Sequence, residues 1–249
     1  MTAGRLTISA VLPAYNEEAN LEGTVRALAP VLAQVAADYE ILVVDDGSAD
    51  RTAEIGRRLA EEFPHVRLLR HERNRGYGAA LRTGFAAARK EWILLLDADG
   101  QFLPGEVERF VPPAPGADLV LGYRRQRADP AHRRFFAAVW RVLVGLLLGV
   151  WVRDTNCGFK LMRTVLVQSL DLQSVGALIS AELLAKARRR RAVLVQVPVT
   201  HVPRRFGRQT GGSLRVTLRA YYELARLGWR IRRFPATAAN LHGRRGPQR

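Results

Sequence analysis

The stretch Trp92-Ile93-Leu94-Leu95-Leu96-Asp97-Ala98-Asp99-Gly100-Gln101 sets an uninterrupted apolar run directly against two carboxylates. Five consecutive apolar residues between charged neighbours read as a short strand buried on both faces, the kind that fills the middle of a parallel sheet. In extended backbone, residues i and i+2 project to the same side, so Asp97 and Asp99 can present their oxygens to one divalent cation. Mg²⁺ and Mn²⁺ prefer hard oxygen ligands, and Mg²⁺ commonly takes one or two carboxylates with substrate phosphates completing its shell. Gln101 can add a further oxygen. The same letters also suit an ordinary Asp/Gly turn after a strand, so this string alone leaves metal binding and a plain turn evenly open.

Outward from it, strand-like and helix-like segments alternate. Leu6–Leu12 is an apolar run that enters Pro13-Ala14-Tyr15-Asn16-Glu17, and apolar residues at helical spacing follow over Glu17–Leu32. Ile41–Val44 is β-branched and runs into Asp45-Asp46-Gly47-Ser48-Ala49-Asp50; Thr52–Glu62 then reads as helix, with Ser48 or Asp50 suited to cap it. Val66–Leu69 is a further strand, Gly78–Arg89 an Ala-rich helix, and a Pro-rich loop at Val111–Gly116 precedes the strand Leu119–Gly122. Strands alternating with helices predict an α/β fold with a mostly parallel sheet and right-handed crossovers. Ligands of such sheets sit at the carboxyl ends of the strands, where three polar segments converge: Pro13–Glu17, Asp45/Asp46 and Asp97/Asp99. Two adjacent aspartates at a strand end repel each other unless a ligand or cation uses them. Asn74-Arg75-Gly76-Tyr77-Gly78 is Gly-rich, yet it has neither the dinucleotide glycine spacing nor the Gly-Lys-Ser/Thr ending of a triphosphate loop, which argues against a dehydrogenase or P-loop NTPase.

The 249 residues carry a net charge of +16, split unevenly along the chain. Residues 1–123 hold 13 Lys and Arg against 18 Asp and Glu, a net of −5, whereas residues 124–249 hold 26 against 5, a net of +21. Only Lys90, Lys160 and Lys186 among the basic residues are lysines. A single cysteine, Cys157, excludes an intramolecular disulfide framework and fits a reducing cytosol. The N-terminal residues lack the apolar core of a signal peptide. The longest uncharged apolar run, Val142–Val152 between Arg141 and Arg153, is too short to span a bilayer and suits a core or interfacial helix.

The ordered set Val11–Glu18, Val44–Asp50, Asn74–Gly78 and Asp97–Gln101 resembles the signature of family-two glycosyltransferases with the GT-A fold, nearest in pattern to the polyprenol (dolichol) phosphate sugar synthases. The resemblance spans about residues 6–212 and implies a Rossmann-like sheet flanked by helices, a nucleotide-sugar donor such as GDP-mannose or UDP-glucose, Mg²⁺ or Mn²⁺, and inversion at the anomeric carbon. It implies that Pro13, Tyr15, Glu17, Val44 and Asp46 hold the nucleoside, that Asp97, Asp99 and Gln101 hold metal and diphosphate, and that Ala98 contributes backbone contacts. Gly122-Tyr123-Arg124 resembles the family's Gly-x-Arg, whose arginine meets the donor diphosphate. Asp154–Lys160 resembles a segment on the acceptor side, and Arg204 falls where the subgroup places an arginine near the diphosphate. Thr210 departs from the lysine expected six positions later, which leaves compensation by Arg205 or Arg208 open. Arg133 or Arg134 is expected to hold an acceptor phosphate.

These readings divide the chain into a GT-A domain over 1–212 (a donor half of about 1–123 and an acceptor half of about 124–212), a basic amphipathic helix over 213–234, and a disordered tail over 235–249. In the helix, Arg215, Arg219, Arg226, Arg230 and Arg233 fall within an arc of about 60°, opposite Val216, Leu224, Leu227 and Ile231. A helix of this kind either lies on an anionic membrane or packs on its own domain with solvated arginines. The expected partners are therefore a nucleotide sugar, a polyprenyl phosphate and the cytoplasmic face of a membrane, with a separate membrane protein as a further candidate. No nucleic-acid motif accompanies the charge. The alternatives are a transferase acting on a soluble sugar or glycan, a nucleotidyltransferase releasing pyrophosphate, and a non-catalytic adaptor, against which four donor motifs speak.

Overall fold

The computed structural model describes residues 5–125, 131–204 and 214–234. Its elements run β1 (Leu6–Ala14), α1 (Leu21–Val35), β2 (Ala36–Asp45), α2 (Thr52–Glu62), β3 (Val66–Arg70), α3 (Tyr77–Ala87), β4 (Trp92–Leu96) and β5 (Leu119–Arg124). Then come α4 (Ala131–Leu148), β6 (Phe159–Arg163), α5 (Thr164–Gln168), α6 (Ile179–Arg189), β7 (Leu194–Val199) and α7 (Leu214–Arg233). Seven strands form one sheet in the order β3-β2-β1-β4-β6-β5-β7, in which β6 is antiparallel to β4 and β5 while the other pairs are parallel.

The alternation of side chains sends each central strand into two cores. Trp92, Leu94 and Leu96 of β4 join Ile8, Ala10 and Leu12 of β1 and Ile41 and Val43 of β2 under α1 and α2. Ile93, Leu95, Val11, Leu42 and Val44 face the opposite way, under α3 to α7. A run with no polar position is what this double burial requires, and it is why the sequence is so apolar at β4. On the first face Phe110 stacks on Phe159, ring centroids 4.4 Å apart, with Phe102 edge-on to Phe159 at 5.7 Å.

The donor half follows the expected order, with the helix starting at Leu21 rather than Glu17 and β2 beginning at Ala36 rather than Ile41. The second half is more regular than its letters suggest. β6 carries Lys160 and Arg163 in five residues, and β7 carries Pro198 at the sheet edge, so neither shows the apolar run that marks β4. The C-terminal amphipathic helix is present as α7, and its apolar side is already occupied: Leu224, Leu227 and Ile231 are buried in the second core. Of the two readings open for that helix, packing on its own domain is the one observed for this side, while Arg226, Arg230, Arg232 and Arg233 remain exposed. No helix among the described residues is long and apolar enough to cross a membrane. The expected tail over 235–249, and the loop with Arg205, Arg208 and Thr210, lie outside the described residues.

Candidate active site

Strands β2, β1 and β4 are neighbours and parallel, so their carboxyl ends share one rim. A cleft of about 410 Å³ opens there, lined by Pro13, Ala14, Tyr15, Glu17, Asp46, Asn74, Gly76, Tyr77, Ala80, Asp97, Ala98, Asp99 and Arg204. Another cavity, of about 590 Å³ beside α3, α5 and Arg75, lacks the strand-end carboxylates and is set apart from this chemistry.

The turn after β1 is zipped to the loop after β2. Asn16 takes a left-handed conformation (φ 55°), an uncommon choice that asparagine tolerates better than most residues. It is held there by its backbone N–H donating to Ser48 Oγ at 2.9 Å and its side-chain oxygen accepting from the Ala49 N–H at 2.9 Å. The Glu17 N–H donates to Thr52 Oγ1 at 2.8 Å, while Asp50 accepts from the Thr52 N–H at 2.9 Å. Glu17 thus points into the cleft, where Arg204 pairs with it and Asn20 donates to its carboxylate at 2.8 Å. Burial pushes its pKa up despite these partners.

The adjacent aspartates divide the work. Asp45 is fully buried, accepting from the Ser48 N–H at 3.0 Å and lying 3.2 Å from Arg70 Nε. Asp46 accepts from the Arg75 N–H at 2.9 Å and the Gly76 N–H at 2.8 Å, and His71 Nδ1 lies 2.7 Å from it. A carboxylate only accepts, so His71 Nδ1 carries the proton, and Nε2 meets Thr83 Oγ1 at 2.9 Å. The two charges are thus held by different partners, with Asp45 Oδ2 accepting no hydrogen bond among the described residues beyond its ion pair with Arg70, and Asp46 reaches the cleft as the clamp on the Asn74–Tyr77 turn.

Asp97 and Asp99 sit at the end of β4. Tyr77 donates its hydroxyl to Asp97 Oδ1 at 2.9 Å. Burial and the charge of Asp99 push the Asp97 pKa up to about 6, against the opposing influence of Tyr77, Lys160 and Arg124. Asp99 lies 3.9 Å from Arg204 NH1. The donor set is all oxygen, and its mutual repulsion is relieved by a cation, so the residues present fit a hard divalent ion. No group of three or more His, Cys, Asp or Glu gathers among the described residues.

Gln101 follows Asp99 at the end of this segment. It is buried, does not line the cleft, and donates its amide to Val202 O at 3.2 Å, while the Val202 N–H donates to Gln101 O at 2.9 Å. With the Phe102–His201 bridge, this pairing carries Arg204 to Glu17 and Asp99. Val44 is fully buried in the core, so only its backbone is left to face a ligand. Arg124 also does not line the cleft: it forms a two-pronged ion pair with Asp154, Nε to Oδ2 at 2.6 Å and NH2 to Oδ1 at 3.0 Å. Arg133 and Arg134 fall in the first turn of α4, with side chains outside the described residues.

Three contributors were not singled out by residue from sequence. Tyr77 is read there only as part of a glycine-rich turn. Gly158 presses so closely on Asp97 that a Cβ would collide with the carboxylate. Lys160, 1% exposed, donates to Cys157 O beneath the site, and burial lowers its pKa. A lysine flanked by Phe159, Leu161 and Met162 is the signal that could have flagged it.

Comparison with known proteins bears on this arrangement. A family model described as Glycosyl transferase family 2 matches residues 9–171. The chain is 35% identical over 165 residues to the undecaprenyl-phosphate 4-deoxy-4-formamido-L-arabinose transferase of Pseudomonas aeruginosa (strain LESB58), covering 66% of this chain and 49% of that protein. The protein of the same name from Salmonella choleraesuis (strain SC-B67) is 31% identical over 202 residues, 80% of this chain and 61% of its own. The chain thus spans about half to three fifths of the length of these relatives. Among solved structures, glucosyl-3-phosphoglycerate synthase from Mycobacterium tuberculosis in complex with phosphoglyceric acid matches with a TM-score of 0.72 at 23% identity, over 90% of this chain and 80% of that one. The same enzyme with Mn²⁺, uridine diphosphate and phosphoglyceric acid matches at 0.70 and 25% identity, over 90% and 78%. With the family model covering well over half of the sequence and the sheet matching those neighbours, the chain belongs to glycosyltransferase family 2 and has the GT-A fold.

Proposed function

We propose that the chain transfers a sugar from a nucleoside-diphosphate sugar to the phosphate of a polyprenyl phosphate, inverting the anomeric carbon. The observation that carries this reading is the Asp97/Asp99 pair facing Glu17 and Arg204 across one cleft. The relatives named as undecaprenyl-phosphate transferases support the lipid phosphate, and the Mn²⁺ and uridine diphosphate of the solved neighbour support a cation beside a diphosphate. Asp97 and Asp99 would hold Mg²⁺ or Mn²⁺, which supplies charge neutralisation at the departing diphosphate. Arg204 stands beside Glu17 and Asp99 and would add positive charge where negative charge builds in the transition state. Tyr15, Pro13, Asp46 and Asn74 line the space that would take the nucleoside, and Ala98 lines it too, with the Val44 and Ala98 backbones as further contacts in this reading. Arg124, held by Asp154 behind the cleft lining yet near enough to lower the Asp97 pKa, would add positive charge from the acceptor half. The bond from C1 to the diphosphate oxygen breaks as an acceptor phosphate oxygen bonds to C1. A phosphate monoester is largely dianionic at pH 7, so it attacks without a strong general base. Arg133 and Arg134 would hold that phosphate.

A lipid acceptor brings the protein to a membrane surface, and the reading includes peripheral binding at the cytoplasmic face through α4 and α7. On α4, Val142 and Leu146 face outward, Leu146 at 68% exposure, and Trp151 (62%) folds back over Gly145. Trp229 (57%) stands on α7 with Arg233 over its ring at 3.6 Å. Exposed apolar and tryptophan side chains beside arginines match the chemistry of an anionic lipid interface. A second reading, a soluble phosphorylated acceptor, is favoured by the phosphoglyceric acid bound to the solved neighbour.

The test is a thermal-shift screen of uridine and guanosine diphosphates with and without Mn²⁺. A nucleotide at 100 times its Kd adds about 2.7 kcal/mol and should raise the melting temperature by several degrees in the wild type but not in Asp99→Asn. An equal rise in the variant contradicts the metal assignment.

A further inference from the structure

Glu182 of α6 is a fully buried carboxylate with no place among the groups lining the cleft. It accepts from the Ser174 N–H at 2.7 Å and from the Gln173 N–H at 3.1 Å, and Lys186 Nζ lies 2.8 Å away. Burial would raise its pKa, but the hydrogen bonds from Lys186 and Ser174 outweigh it and hold the pKa below the ordinary value. Lys186 also donates to Asp171 O at 2.6 Å, and Arg82 NH1 donates to Gln173 O at 3.2 Å. The backbone over 171–175 is thereby pinned at several points.

What that loop touches is the donor turn. The Gly78 N–H donates to Val175 O at 2.8 Å. Gly76 takes a φ of 97°, open to glycine and costly for other residues, and a Cβ there would stand 2.5 Å from Val175 O. A Cβ at Gly78 would strike the carbonyls of Ser174 and Gly176. The turn is gripped from the opposite side by Asp46 through the Arg75 and Gly76 N–H groups. Between the two grips it presents Asn74, Gly76 and Tyr77 to the cleft, and Tyr77 delivers its hydroxyl to Asp97. Arg230 of α7 reaches the same anchor, bonding Gln173 Oε1 and lying 3.7 Å from Glu182 Oε1.

We infer that Glu182 is a positioning residue for the nucleotide-sugar donor: it fixes the 173–175 loop, which fixes the Asn74–Gly78 turn and Tyr77 against Asp97, and Arg230 ties that anchor to α7. The inference rests on the proposed donor site. It gives a reason for keeping a carboxylate where an apolar residue would pack at no desolvation cost, since only an anion collects two backbone N–H groups and an ammonium at one point.

The experiment measures Mn²⁺–uridine diphosphate and Mn²⁺–guanosine diphosphate binding by calorimetry, with KM for donor and acceptor measured separately, in wild type, Glu182→Gln, Gly78→Ala and Arg230→Gln. Displacing the turn should weaken nucleotide binding and raise donor KM by about tenfold or more in Glu182→Gln and Gly78→Ala, with acceptor KM unchanged. Arg230→Gln, an exposed change, should produce a smaller shift in the same direction. Wild-type nucleotide affinity in a folded Glu182→Gln would overturn the inference, even with a lowered melting temperature. Should Glu182→Gln not fold, Gly78→Ala decides alike, wild-type affinity again overturning it. If the wild type binds neither nucleotide, the donor-site reading itself falls and takes this inference with it; a wild type that binds beside variants that bind equally removes the inference alone.

Discussion

Asp97 is held under opposing demands: it is half-buried beside Asp99, and desolvation and that neighbouring charge favour its neutral form, yet the proposed cation would require it ionised. In the metal-free protein its folded pKa of about 6 lies above the unfolded value of 3.8. A raised carboxylate pKa means that the folded state binds the proton more tightly. The stabilisation is complete below about pH 4 and is lost as pH rises through 6. At about 1.4 kcal/mol per pKa unit, the loss is on the order of 3 kcal/mol. Asp97→Asn should therefore raise the metal-free melting temperature at pH 7.5 while abolishing Mn²⁺ binding; calorimetric melts at pH 5 and 7.5 check this, since the gain should shrink at pH 5. Gly158→Ala drives a methyl into the Asp97 carboxylate. Transfer should drop about a hundredfold while the circular dichroism spectrum stays native. The carboxylates themselves were legible in the sequence because strand period and chemistry coincide there. Tyr77, Gly158 and Lys160 were not, because Tyr77 and Gly158 meet Asp97 from segments distant in sequence and Lys160 is placed by burial, none of which local spacing encodes.

At the scale of elements, the donor half was readable because each strand ends in a polar turn and each helix carries a regular apolar face. The acceptor half hid β6, whose Phe159 is stacked on Phe110 while Lys160, next in sequence, is buried on the other side of the strand. Removing that ring should cost about 3–5 kcal/mol, as large aromatic truncations in cores do; chemical denaturation of Phe159→Ala measures it. The amphipathic pattern of α7 was legible, but its destination was not. Periodicity says that a face is apolar and leaves open which surface it covers, and here Leu224, Leu227 and Ile231 cover the second core. In the proposed reading, contact with a membrane would fall to α4 and the arginine side of α7. Leu146→Glu, at a highly exposed position, should reduce sedimentation with vesicles containing phosphatidylglycerol at least severalfold and leave nucleotide binding intact. Unchanged sedimentation would remove α4 from the interface.

For the whole molecule, the charge split of −5 and +21 matches the two tasks of the proposed reaction. The acidic half supplies the strand-end carboxylates, and the basic half supplies Arg124, Arg204 and the arginines of α4 and α7. Vesicle binding driven by those arginines should weaken as salt rises, since the screening length shrinks from about 10 Å at 0.1 M to about 3 Å at 1 M. Charge and motif order in the sequence were enough to anticipate an α/β transferase fold. The sugar and the nucleotide base were not, because the cleft lining is assembled from segments far apart in sequence, such as the turns at Tyr15 and Asn74. The most direct measurement follows radiolabelled sugar from UDP-glucose and GDP-mannose into undecaprenyl phosphate with Mn²⁺, alongside phosphoglyceric acid as a soluble acceptor. The account predicts metal-dependent appearance of a lipid-linked sugar with stoichiometric release of nucleoside diphosphate, lost in Asp99→Asn. Label passing only to the soluble acceptor, or transfer that persists with chelator present, would contradict it.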